Sequence, residues 1–145
     1  HMIESIIALA AFIPVIIGMG GNIGTQSSTI IVRGMATGRI EVGSELLVLI
    51  KELKVGLILG VLYGVLLGIF ANLKFIGTDP MLGLVVGLSI ASSMLIAVTV
   101  GSFTPLILRK LEIDPAVAAG PFVTTSIDIL GVLLYFVIAG ILLKI

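Results

Sequence analysis

The stretch FVTTSIDILGVLLYF, residues 122–136, places one carboxylate, Asp128, inside an otherwise uncharged and mostly apolar segment. The nearest charged residues along the chain are Asp114 and Lys144. A helix that crosses a bilayer needs about 20 mostly apolar residues, and this run between two distant charges is long enough. An acid near the bilayer centre costs at least about 2.5–3.5 kcal/mol, so its presence indicates a function or a specific partner.

The composition of the whole chain indicates a membrane protein. Of the 145 residues, 59% are hydrophobic and 11% are charged, whereas a soluble domain is about 45–50% apolar and about 25% charged. The zero net charge predicts no nucleic-acid partner. Cysteine is absent and the only histidine is His1, which we interpret with Met2 as the remnant of a tag. Zinc chemistry and histidine-activated nucleophiles therefore lack residues, and we predict that the protein is not an enzyme.

Four apolar runs predict an all-α, polytopic membrane protein, a bundle of four transmembrane helices over residues 3–145. The spans are expected at about 3–32, 55–73, 81–108 and 116–143. The loops at 33–54 and 109–115 hold six of the eight basic residues. We therefore expect both loops in the cytoplasm and both chain ends on the outer side of the cell membrane. That topology favours a further helix upstream.

Local signals predict how the spans begin and how they pack. Ser44 is expected to cap a helix whose amphipathic first part, 45–54, lies along the membrane interface. Asp114 and Pro115 are expected to start span four, as the N-cap and the first helical residue. Small residues spaced four apart lie on one helix face and let another helix approach closely. We predict that this packing involves Gly56, Gly60, Gly64 and Gly68 on span two and Gly83, Gly87 and Ala91 on span three.

Span one becomes polar halfway along, in PVIIGMGGNIGTQSST (14–29). Helical spacing places Gly18, Asn22, Gln26, Thr29 and Arg33 on one face. Pro14 leaves the carbonyl of Ala10 without its helical partner, and the glycines uncover further backbone. Such oxygens suit a hydrated cation, although amides and hydroxyls also link helices by hydrogen bonds. We interpret Arg33 first as an anchor of the topology and second as a gating residue.

Span four carries a matching set of groups around Asp128. Pro121 frees the carbonyl of Val117 beside Gly120, Thr124 and Thr125 lie one turn before Asp128, and Gly131 lies three residues beyond it. Three roles for Asp128 remain open: a protonated acid bonded to a threonine, a proton relay, and a carboxylate that attracts a cation in a water-filled path.

The same two segments carry a family resemblance. PVIIGMGGNIGTQSSTIIVRGMATGRI (14–40) and LRKLEIDPAVAAGPFVTTSIDILGVLLYF (108–136) resemble the second and last transmembrane helices of the MgtE magnesium transporters and their eukaryotic relatives, the solute carrier 41 family. The resemblance covers essentially all of residues 3–145. The family's domain has five helices, so the first helix has no counterpart here, and neither has its cytoplasmic sensor region.

The resemblance implies a homodimeric Mg²⁺ channel with its pore between subunits, lined by spans one and four. The family's intramembrane aspartate falls on Asp128, which would bind a largely hydrated Mg²⁺ together with its copy in the other subunit. Combining both arguments, we predict a metal site at Asp128, Gly120, Thr124 and Thr125. The predicted pore-lining residues are Gly18, Gly21, Asn22, Gln26, Pro121 and Gly131.

The resulting hypothesis is a transporter of Mg²⁺ embedded in the lipid bilayer, and Mn²⁺ or Co²⁺ would suit the same oxygen ligands. One alternative is a proton-coupled cation or solute carrier that uses Asp128 as its relay. Another is a structural subunit that transports nothing. An intramembrane aspartyl protease would need a second aspartate within the spans, and no predicted span contains one.

Overall fold

A computed structural model describes residues 2–41 and 43–144, and the side chains of all of these except 2, 3 and 117–119. His1, predicted to belong to a tag remnant, lies outside the described residues. Its elements are α1 (Met2–Ala36), α2 (Glu45–Lys74), α3 (Leu82–Lys110) and α4 (Pro115–Leu143). All four helices are long and apolar enough to cross a membrane, and the described ranges contain no strand. The predicted all-α bundle is confirmed.

The first connection is shorter than the sequence suggested. Helix α1 continues to Ala36 and α2 begins at Glu45, which leaves residues 37–44 as the loop, where 33–54 was expected. The segment 45–54 is continuous with span two because Leu49 packs in a buried cluster with Ile31, Ile40 and Leu106. At 35 residues, α1 is about 52 Å long and exceeds a hydrocarbon core of about 30 Å.

The two predicted helix starts differ in outcome. The Asp114 carboxylate accepts a hydrogen bond of 2.9 Å from the Ala116 N–H, and Pro115 is the first residue of α4, as expected. Ser44 occupies the N-cap position of α2 but makes no side-chain cap, since its hydroxyl donates to the Glu41 carbonyl at 2.9 Å. Glu45 instead ties this end to α3 through an ion pair of 3.1 Å with Arg109.

Helix α3 is the centre of the bundle and contacts α1, α2 and α4. A methyl group added at Gly64 would lie 2.6 Å from the Gly87 carbonyl oxygen, and one at Gly68 would lie 2.7 Å from that of Gly83. Gly60 likewise faces the backbone of Ala91, whereas Gly56 faces the side chain of Val98. The glycines of α2 thus bring its backbone against α3, and the opposite face of α2 is apolar and exposed.

The largest buried cluster joins the first half of α1 to the second half of α4. Tyr135 is fully buried in this cluster, and its hydroxyl donates a 2.7 Å hydrogen bond to the Leu9 carbonyl. This bond fixes α4 to α1 at one end of the bundle, whereas their polar halves lie toward the other end.

Replacing Tyr135 with Phe is expected to lower the free energy of unfolding by about 1 kcal/mol, because the buried hydrogen bond to the Leu9 carbonyl is lost. Unfolding of the chain in mixed micelles, followed by circular dichroism, measures the change. The control is Tyr63→Phe, since the Tyr63 side chain is exposed. Equal stabilities of the two variants would contradict the assigned role of the Tyr135 hydroxyl.

Candidate cation site between helices α1 and α4

The polar face predicted on α1 is open in the folded chain. Gly18, Asn22, Gln26, Thr29 and Arg33 are all exposed. The last four, with Thr25 and Ile30, line a groove of about 350 Å³. From Asn22 to Arg33 the groove follows α1 for about 16 Å, roughly half of a hydrocarbon core.

Helix α4 runs antiparallel to α1 and extends this polar surface. A second groove, of about 280 Å³, lies between Thr25, Ser28, Thr29, Val32 and Arg33 of α1 and Pro115, Ala116 and Gly120 of α4. Thr25, Thr29 and Arg33 line both grooves. The first half of α4 and the second half of α1 therefore form one continuous surface.

Asp128 lies beside this surface, where α1 and α4 come close together at Gly21. A methyl group added at Gly21 would lie 3.9 Å from Asp128 Oδ1 and 3.6 Å from Thr124 Cγ2. The Asp128 side chain is half-buried, and its Oδ1 is buried without a hydrogen-bond partner in the part of the chain that the structure describes. A carboxylate oxygen removed from water in this way is costly unless a cation or a donor reaches it.

The neighbouring threonines do not supply that donor. The Thr124 hydroxyl donates to the Gly120 carbonyl at 2.8 Å, and the Thr25 hydroxyl donates to the Gly21 carbonyl at 2.8 Å. Both hydroxyls therefore satisfy backbone carbonyls within their own helices. The interpretation of Asp128 as an acid bonded to a threonine finds no support in this geometry.

The remaining predicted site residues divide into an open group and a packed one. Gly18 and Gly120 have open space where a side chain would be, and Pro121 and Thr125 are exposed on α4. Gly131 is buried, and a methyl group there would lie 3.0 Å from the Ser93 hydroxyl of α3. The structure thus places Gly131 in the packed interior, not on the open face.

Glu52 is an acidic residue that the structure brings into the bundle. Because span two was expected to start at 55, Glu52 was assigned to the interface. In the structure it is half-buried and lines a cavity with Gln26 and Ser27 of α1. The signal that would have found it is the uninterrupted helical pattern from Glu45 onward.

A bundle of membrane-crossing helices with a half-buried acid beside a continuous polar surface has the features of a membrane protein that handles small ions. Comparison with known families agrees, since the model of the MgtE family, described as a divalent cation transporter, matches residues 13–138. The chain belongs to the MgtE family.

Curated relatives give the same result. The chain is 38% identical over 143 residues to a protein of Thermus thermophilus named magnesium transporter MgtE. Proteins of the same name from Bacillus subtilis and Enterococcus faecalis are 36% and 34% identical to this chain. These matches cover 94–99% of this chain, which spans only about 30% of the relatives' length.

Proposed function

We propose that this chain forms the membrane part of a Mg²⁺ channel or transporter, with its ion path along the polar surface of α1 and α4. The observation that carries the proposal is the buried, unpartnered Oδ1 of Asp128 facing Gly21 beside that surface. The relatives named as magnesium transporters supply the identity of the ion.

The residues along the surface suit an ion that keeps its water. Mg²⁺ gives up water reluctantly, and protein sites often leave several waters in place. The carbonyl oxygens of the Asn22 and Gln26 side chains can accept hydrogen bonds from those waters, and Asp128 provides the compensating charge. Gly18 and Gly120, which have open space around them, keep the surface free of bulky side chains.

A second copy of the chain would complete the path. A polar surface left against lipid is unfavourable, because hydrocarbon offers no hydrogen-bond partners. Two-fold symmetry would bring two such surfaces and two Asp128 carboxylates around one axis, which matches the charge of one Mg²⁺. We place the loops 37–44 and 111–114 in the cytoplasm, following their basic flanks.

The dimer can be tested with single cysteines, because the chain contains none. A short bifunctional maleimide is expected to link two copies of the Thr125→Cys chain in nanodiscs, since Thr125 is exposed on the proposed interface. The control is Leu62→Cys on the apolar face of α2, where Leu62 is 50% exposed. Equal cross-linking of both variants, or none at Thr125→Cys, would contradict the proposed symmetry.

Transport is tested in proteoliposomes with a trapped Mg²⁺-sensitive dye. We expect uptake driven by the Mg²⁺ gradient alone, with no change when a pH gradient of either direction is imposed. Uptake that requires the pH gradient would instead support the proton-coupled carrier with Asp128 as its relay. No uptake in either condition would leave the structural subunit as the better description of this chain.

A further inference from the structure

Glu52 is an acidic residue directed into the bundle from the first part of α2. The structure gives it a cavity of about 270 Å³, whose other lining residues are the polar Gln26 and Ser27 and the apolar Ile23, Ile30, Val55, Leu59 and Val98. Ser27 is only 4% exposed, whereas Gln26 and Val55 are exposed, so this cavity reaches from the packed helices to the open surface of the bundle. Its polar groups are a carboxylate, an amide and a hydroxyl.

The charges around Glu52 do not neutralise it. Lys51 and Lys54, its basic neighbours on α2, are exposed, whereas Glu52 is half-buried. Arg109 is engaged with Glu45 in the ion pair of 3.1 Å. Within residues 2–41 and 43–144, no basic side chain pairs with Glu52. A half-buried carboxylate without a basic partner can take a divalent cation as its counter-charge.

We infer that the cavity between α1 and α2 is a second divalent-cation site, with the Glu52 carboxylate as its charged ligand and Gln26 and Ser27 as oxygen ligands to the ion or its waters. The identity of the ion rests on the proposed function. Carboxylate, amide and hydroxyl oxygens are the ligands that hard divalent cations prefer.

The size of the cavity agrees with a largely hydrated ion. An octahedral Mg²⁺ with its waters occupies roughly 180 Å³, from about six waters of about 30 Å³ each. The cavity of about 270 Å³ holds such an ion with Glu52 reaching its outer waters. An apolar cavity of the same size would offer the ion no ligands, so binding depends on the Glu52 carboxylate.

Gln26 connects this site to the main path. It lines the cavity with Glu52 and also the open groove with Asn22 and Arg33. The Glu52 site lies about 8 Å further along α1 than Gly21, the residue that faces Asp128. An ion held at Glu52 can therefore pass by way of Gln26 to the surface that leads to Asp128, which makes this a side site next to the path.

The test counts Mn²⁺ bound by the chain in nanodiscs of neutral lipid, from the electron paramagnetic resonance signal of free Mn²⁺. Four proteins are compared: the unmodified chain, Glu52→Gln, Glu41→Gln as the exposed-acid control, and Asp128→Asn. Only Mn²⁺ that excess Mg²⁺ displaces is counted. Gln is close in shape to Glu and removes the unpaired charge, and circular dichroism verifies that each variant keeps its helices.

We expect Glu52→Gln to lose about one displaceable Mn²⁺ per chain, Glu41→Gln to lose none, and Asp128→Asn to lose a separate fraction. An unchanged count in Glu52→Gln, or an equal loss in Glu41→Gln, would overturn the inference. A different outcome would contradict the proposed function alone: Asp128→Asn would bind as much Mn²⁺ as the unmodified chain, while Glu52→Gln would still bind less.

Discussion

Asp128→Asn is expected to reduce Mg²⁺ uptake into proteoliposomes by roughly ten- to hundred-fold. The estimate follows from losing one hydrogen bond to a charged group, which is worth about 1.5–3 kcal/mol. Asn has nearly the same shape, so the packing of Asp128 against Gly21 is kept while the charge is removed. A neutral amide no longer compensates the charge of the ion where Asp128 faces Gly21.

The matched control is Asp114→Asn. Asp114 is exposed and caps α4, and Asn caps helices about as well as Asp. Both variants remove one negative charge from the same helix, but only one removes it beside the polar surface. Equal uptake in Asp128→Asn and Asp114→Asn would show that net charge, and not the position of Asp128, determines transport.

Gly101→Ala is expected to destabilise the bundle by about 1–3 kcal/mol, the usual cost of overpacking a close contact. A methyl group at Gly101 would lie 2.9 Å from the carbonyl carbon and 3.0 Å from the Cα of Gly24. These are backbone atoms of α1, so the clash is relieved only when α1 moves away from α3. The same movement would shift Gly21 relative to Asp128, and we expect Mg²⁺ uptake to fall together with stability.

Gly18→Ala is the control for this variant. Gly18 lies in the same helix as Gly24, but nothing lies within 4 Å of a methyl group added there. Because Ala favours a helix by about 1 kcal/mol over Gly, we expect stability to be unchanged or slightly higher. Unfolding in mixed detergent micelles compares the two variants, and an unaltered stability of Gly101→Ala would contradict the packing of α1 on α3.

The packing of α2 illustrates what a sequence can predict. Four glycines spaced four apart must share one face, and Gly56, Gly60, Gly64 and Gly68 all contact α3 in the structure. The cap at Asp114 and the open face of α1 follow from local spacing in the same way. These features depend only on the geometry of one helix.

Features that depend on how helices are arranged were not predictable. Gly131 is three residues from Asp128, yet the position of Ser93 on α3 places it in the interior. The segment 45–54, which contains Glu52, has the amphipathic composition of an interfacial helix. Only the packing of Leu49 with Ile31 and Leu106 shows that this segment belongs to the bundle. Helical periodicity defines faces but does not say which helix covers each face.

The most direct test of the account locates the ion by nuclear magnetic resonance. The chain in bicelles is titrated with Mn²⁺, and paramagnetic broadening is followed for each amide, with Asp128→Asn in parallel. We predict broadening centred on Gly21, Thr124 and Asp128 that Mg²⁺ reverses and that the variant loses at these residues, whereas broadening around Glu52 remains. Broadening confined to the exposed acids Glu41, Glu112 and Asp114, and equal in the variant, would contradict the assignment of Asp128 as the ion's ligand.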